Sequence, residues 1–210
     1  MLDKWTGTAV RPLLHIVAKK LEQYGILANY ITIGGFFIGI TAVPVLAMEQ
    51  YVLALLLIII NRTMDGLDGA LARIQGTTDV GGFLDIVLDF IFYASIILGF
   101  ALANPQSNAL TACWLLFAFM GTASSFLAFA SIAAKRGVEN PVYQNKSLYY
   151  LGGLAEGTET IIFFVFMCLF PSYFVAIAAV FSVICMITTC TRVLVGVHTF
   201  KITTASRING

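Results

Sequence analysis

Six apolar runs follow one another along the chain, at about residues 30–48, 51–73, 82–103, 109–134, 154–170 and 173–197. A helix needs about 20 residues to cross the hydrocarbon of a bilayer, and each run comes close to that length. In lipid a backbone must satisfy its own hydrogen bonds, which leaves helices and closed barrels as the spanning structures. The runs therefore predict an all-α integral membrane protein with six transmembrane helices. Composition agrees. Of 210 residues, 59% are hydrophobic and 11% charged, whereas an average soluble domain is about 25% charged.

The placement of the few charges sets an orientation. The connections at Glu49-Gln50, Asn104 to Asn108 and Pro171-Ser172 are short and carry no Lys or Arg. The opposite ends carry Lys4, Arg11, Lys19, Lys20, Arg73, Lys135, Arg136, Lys146, Lys201 and Arg207. By the positive-inside rule both termini and the basic loops are expected in the cytoplasm. Net charge is only +1, so no field draws nucleic acid and no such partner is expected.

Before the first run, Val10, Leu13, Leu14, Ile16, Val17 and Leu21 cluster by helical spacing, with Lys19 and Lys20 off that face. This predicts an N-terminal amphipathic helix lying in the membrane interface, with a soluble amphipathic helix as the alternative. The expected organisation is an interfacial helix over 1–24, a six-helix domain over 25–200 and a cytoplasmic tail over 201–210. No cleavable signal peptide is expected. Cys113, Cys168, Cys185 and Cys190 lack the paired spacing of a zinc site and read as packing residues. His15 and His198 belong to no constellation.

Charges inside spans mark functional sites by default, because they are costly there. Asp65 and Asp68 stand three apart and share a helical face; Asp85 and Asp89, four apart, share a face of the next span. The short connection between the two spans predicts antiparallel neighbours whose four carboxylates converge at one depth, on the cytoplasmic side. Bare, four such acids would cost on the order of 10–14 kcal/mol on the insertion scale. Protons or cations must offset that. Two divalent ions would balance the charge, and hard oxygen ligands suit Mg²⁺, Mn²⁺ or Ca²⁺. Gly69, Ala72 and Gly81 leave room beside the acids for a larger ligand. Arg62, one turn before Asp65, is expected to pair with a nearby acid or carbonyl.

Taken together, Asp65-x2-Asp68-Gly69-x2-Ala72-Arg73-x7-Gly81-x3-Asp85-x3-Asp89 resembles the signature of the CDP-alcohol phosphatidyltransferases. The resemblance implies a six-helix fold around a polar cavity open to the cytoplasm, commonly as a homodimer in a bacterial inner membrane. It implies transfer of a substituted phosphate from a CDP-linked alcohol, usually CDP-diacylglycerol, to an acceptor hydroxyl with release of CMP. Asp65 and Asp85 would bridge two divalent cations, with Mg²⁺ expected at both sites and Mn²⁺ as the alternative. Asp68 would complete one site and Asp89 the other, with Asp89 also the general base. Gly69 and Arg73 would contact the nucleotide, and Ala72 and Gly81 would make room for it. Asn29-Tyr30-Ile31-Thr32 is similar to the family's CDP-contacting stretch, with Asn29 and Thr32 as donor contacts and Ala28 where proline is usual. Thr77 or Thr78 would donate to a donor phosphate, with Thr78 taken as the candidate.

The acceptor alcohol is not specified. Lys135, Arg136, Lys146 and Arg192 could hold an acceptor phosphate, and the stretch around Glu156 and Glu159 is similar to that of an inner-membrane subgroup. Those glutamates could bind sugar hydroxyls or a cationic head group, or simply favour a helix start. Arg192 could instead pair with one of them. Two other functions compete: a cation transporter using the intramembrane acids, and a family member without catalysis that binds lipid.

Overall fold

The computed structural model of the chain describes residues 3–136 and 154–208, with side chains described over 12–136 and 154–201. Lys146, the residues 151–153 before Leu154, and the side chains of Lys4, Val10, Arg11 and Arg207 lie outside the described residues. Among those described there is no strand. The order is α1 (Asp3–Gln23), α2 (Ala28–Ile40), α3 (Ala42–Ala47), α4 (Tyr51–Gln75), α5 (Asp79–Ala103), α6 (Pro105–Arg136), α7 (Gly157–Leu169), a 3-10 turn (Pro171–Tyr173) and α8 (Phe174–Ile208).

Four stretches are long and apolar enough to cross a membrane: Ala28–Ala47, Asp79–Ala103, Pro105–Arg136 and Pro171–Lys201. The chain is an integral membrane protein. The other two apolar runs differ in kind. Helix α7 has 13 residues. Helix α4 has 25 residues, ~37 Å of helix, but from its middle onward it carries Arg62, Asp65, Asp68 and Arg73. The first run, predicted as one helix, is divided at Thr41, whose N–H bonds three residues back to Ile38. Pro44 follows and has no N–H to return to Ile40, so the ladder cannot pass through unbroken.

The outward surface is apolar, with Leu110 84%, Val52 74% and Leu194 71% exposed. That arrangement suits hydrocarbon and is costly in water. Inside, Phe92, Phe100, Phe164, Phe174 and Phe181 are fully buried. Phe100 stacks on Phe174 at 4.9 Å, joining α5 to α8, and Phe163 stacks on Phe181 at 4.4 Å, joining α7 to α8. Cys168 and Cys185 belong to this core, while Cys113 and Cys190 face outward.

Small residues set the closest helix approaches, as expected where lipid removes the hydrophobic drive for association. A Cβ on Gly39 would lie 2.8 Å from the Asn61 side chain and from the Phe92 ring. Helices α2, α4 and α5 thus meet at a point that only glycine permits. Gly35 lies similarly against Met64. The Gly35-x3-Gly39 spacing is therefore a contact within one protomer.

The apolar residues of α1 divide between two faces. Leu14, Ala18 and Leu21 pack with Ile31, Leu67 and Leu71, whereas Leu13 is 65% and Ile16 57% exposed. One strip rests on the protein and another is presented outward.

Between α4 and α5 the expected convergence of acids is found. The two helices are linked by only residues 76–78, and acids on them face one another in antiparallel register. Yet they are not packed closely on each other; each packs on α2. The gap between their acidic faces is closed on one side by α2.

Candidate functional site

The gap between α4 and α5 is the site. It is lined by Thr32, Gly35 and Phe36 of α2, Asn61, Arg62, Asp65 and Asp68 of α4, and Asp85, Leu88 and Asp89 of α5. All four acids singled out by spacing therefore face one cavity.

Within it they are not equivalent. Asp65, Asp68 and Asp85 each place a carboxylate oxygen within 4.8 Å of the others. An oxygen-ligated ion with bonds of about 2.0–2.6 Å can gather ligands at that spacing with little movement. Asp68 is only 5% exposed, and its Oδ2 is buried without a hydrogen-bond partner. A buried acceptor left so is expensive, which fits a cation in the trio.

Asp89 has a different environment. Its Oδ1 accepts from Arg62 Nη2 at 2.7 Å, and its Oδ2 accepts from the Tyr93 hydroxyl at 3.2 Å. Arg62 Nη1 donates to that same hydroxyl at 2.9 Å and lies 3.5 Å from Asp65 Oδ2. The guanidinium is held from behind as well. Its Nε donates to Asn61 Oδ1 at 2.8 Å, and Asn61 Nδ2 donates to the Gly35 carbonyl at 2.8 Å. The rings of Phe92 and Tyr93 lie 4.8 and 5.1 Å from it. The expected pairing of Arg62 with an acid is thus observed. Asn61 and Tyr93 were not anticipated, although Tyr93 follows Asp89 by four and so shares its face.

This cavity is built from a family signature. The family model for CDP-alcohol phosphatidyltransferases matches residues 25–195. The chain belongs to the CDP-alcohol phosphatidyltransferases. It is accordingly a transferase of phospholipid synthesis. Inner membrane protein YnjF of Escherichia coli is 54% identical over 201 residues, 96% of this chain and 98% of that protein. An archaetidylinositol phosphate synthase of Pyrococcus horikoshii is 38% identical over 105 residues, which are 50% of this chain and 55% of that one.

The fold has solved counterparts. The phosphatidylinositol phosphate synthase of Mycobacterium tuberculosis in complex with manganese and citrate matches with a TM-score of 0.71 at 19% identity, over 87% of this chain and 88% of that one. The same enzyme with CDP-DAG bound gives 0.67 at 19% identity, over 88% of this chain and 94% of that one. At such identity the likeness is one of fold.

The other residues of this phosphatidyltransferase singled out from sequence fall into two groups. Asn29, Thr78 and Gly81 come together, since a Cβ on Gly81 would lie 3.1 Å from both Asn29 Oδ1 and Thr78 Oγ1. Thr78 caps α5, its hydroxyl accepting from Gly81 N at 3.1 Å, the usual service of an N-cap threonine. The Arg73 guanidinium lies over Gly69, with the half-buried Ala72 between them in sequence. Gln75, which spacing did not mark, ties the end of α4 to the entrance of α2: its Oε1 accepts from Ala28 N at 3.2 Å and its Nε2 donates to the Ile26 carbonyl at 2.7 Å.

The residues considered for the acceptor lie on α6, α8 and the start of α7. Glu156 is the N-cap of α7 and Glu159 lies in its first turn; a Cβ on Gly157 would lie 3.5 Å from the Tyr93 hydroxyl, so this end of α7 adjoins the Asp89 network. Arg136 donates to the Phe200 carbonyl at 2.8 Å, and buried Arg192 donates to the Thr122 carbonyl at 3.0 Å. Both tie α6 to α8. Lys135 is exposed at the end of α6.

Proposed function

We propose that this enzyme moves a phosphatidyl group from CDP-diacylglycerol to the hydroxyl of a small acceptor, releasing CMP. The observation that carries the reading is the Asp65–Asp68–Asp85 trio, with its buried, unpaired Asp68 oxygen, in a cavity shared with Asp89. Asp65 and Asp85 would hold two divalent cations in common, Asp68 completing one site and Asp89 the other. Mg²⁺ is the proposed ion and Mn²⁺ its substitute. When bound, such ions neutralise diphosphate charge and the charge that develops on the departing CMP.

The remaining work falls to side chains. The acceptor oxygen bonds to the phosphorus that carries diacylglycerol, and the bond from that phosphorus to the bridging oxygen breaks. Asp89 receives the acceptor's proton. Asn29, Thr32, Gly69, Ala72, Arg73, Thr78 and Gly81 form the nucleotide side, supported by the meeting of Asn29 and Thr78 at Gly81. The acceptor enters from the α7 side, where Glu156 and Glu159 would address its hydroxyls and Lys135, Arg136 and Arg192 its charge. Two relatives make inositol phosphate lipids by name, which puts inositol phosphate first among acceptors to try.

The membrane setting we propose is a bacterial inner membrane, with six spans, both termini and the cavity on the cytoplasmic side, and a homodimer. The exposed strip of α1 with Leu13 and Ile16 supports an interfacial helix over 1–24, preceding the catalytic domain over 25–200 and a tail over 201–210.

The test is CMP formation by purified protein given CDP-diacylglycerol, Mg²⁺ and a panel of alcohols, scored by product mass. Turnover that chelation stops and Mg²⁺ restores supports the reading. Absence of CMP with every acceptor, while cations move across proteoliposomes, would replace it with a transporter.

A further inference from the structure

Arg62 is a cation placed by the fold where the reading above puts a second metal ion. It contacts Asp89 at 2.7 Å and lies 3.5 Å from Asp65, while the trio that could gather a single ion is Asp65, Asp68 and Asp85, without Asp89. Two distinct electrostatic compartments result. One is three acids around a buried oxygen that lacks a partner. The other is an acid already neutralised by a fixed guanidinium.

The guanidinium is also not free to withdraw. Asn61 holds its Nε, the Tyr93 hydroxyl accepts from its Nη1, and Phe92 and Tyr93 flank it. The Arg62 side chain is only 16% exposed. Even if Asp89 turned toward an incoming ion, the positive charge would stay within a few ångströms of it. Like charges at that distance repel strongly when water is largely excluded.

We propose that Arg62 is a positioning residue that withholds Asp89 from a second divalent cation, so that the two ions load in order, the Asp65–Asp68–Asp85 site first and tightly, the Asp89 site second and weakly. This rests on the two-ion reading of the active site. It goes beyond it by assigning to one side chain the inequality of the two sites. Its consequence for the reaction is that the second ion is held best when the donor's diphosphate is present to offset the charge of Arg62.

The experiment is a Mn²⁺ titration of the purified, chelator-treated full chain, with unbound Mn²⁺ read by electron paramagnetic resonance and no nucleotide present. Wild type should show one tight ion and one at least ~10-fold weaker. Arg62→Gln should tighten the weaker site ~10-fold and change the tighter one less. Arg62→Lys, which keeps the charge, should preserve the inequality. Tyr93→Phe frees one Asp89 oxygen without removing the cation and should tighten the weaker site only slightly. If Arg62→Gln does not fold, wild type and Tyr93→Phe still decide. Two equal wild-type sites overturn the proposal, as does a Tyr93→Phe protein that equalises them or an Arg62→Gln protein in which the second site is unchanged or weaker. Because no donor enters the titration, ordered loading without CMP release from any CDP-alcohol would sustain this inference and defeat the proposed reaction. Turnover with equal sites would do the reverse.

Discussion

Arg62 and Asp89 join α4 to α5 through a 2.7 Å ion pair across a gap that the two helix backbones do not close. The pair orients the one acid of the four that stands outside the ion-gathering trio. With the Tyr93 hydroxyl on its other oxygen, Asp89 is fixed at both ends of its carboxylate. A group so fixed is suited to receive a proton from a hydroxyl that must approach along one line.

Asp89→Asn keeps the size of this side chain and removes its ability to accept that proton. CMP release should fall by ~10²–10⁴-fold, while binding of a CDP-alcohol stays measurable by calorimetry. Turnover within threefold of wild type would remove Asp89 from the chemistry.

Asp68→Asn tests the trio. The substitution puts an amide where a buried, unpartnered oxygen stands. We expect Mn²⁺ affinity at the tight site to drop by at least ~10–100-fold, by analogy with the loss on disturbing groups around bound metals, and activity to require more Mg²⁺. Unchanged Mn²⁺ binding would show that the trio holds no ion.

Gly39→Ala tests packing alone. Its Cβ would meet the Phe92 ring and Asn61 at 2.8 Å, which overpacks the junction of three helices by about 1–3 kcal/mol. The melting temperature in detergent should fall. If it does not, the junction is looser than described.

Gly81→Val should act on donor recognition. A Cβ there already reaches Asn29 Oδ1 and Thr78 Oγ1 at 3.1 Å, and valine adds two methyls. The KM for the CDP-alcohol should rise more than kcat falls. An equal fall in kcat with KM unchanged would place Gly81 outside the donor site.

Much of the architecture was legible in the letters because lipid leaves few choices. An apolar run of about 20 residues in hydrocarbon has to be a helix, and the boundaries of α4 and α5 follow from that to within a few residues, whereas α8 continues to Ile208, past the end of its apolar run at 197. The division at Thr41 was signalled by Pro44 but masked by unbroken apolarity on either side. The four acids could be placed on two faces by counting. Counting could not show that three form a set and the fourth is engaged, because this depends on where the Arg62 guanidinium goes. Its partner lies 27 positions away, on another helix. Likewise the short loop made α4 and α5 antiparallel neighbours, but only the structure shows that α2 closes the gap between them. Gln75 carried no signal at all, since its partners Ile26 and Ala28 are joined to it only in space.

At Ala28, where proline is usual in this family, the N–H is given to Gln75, a bond that an imino acid could not make. The chain has exchanged a restraint built into one residue for one shared between the entrance of α2 and the end of α4. Stiffness at the proposed nucleotide side has thereby become a property of two helices instead of one ring. It can be adjusted by altering a glutamine that touches none of the acids.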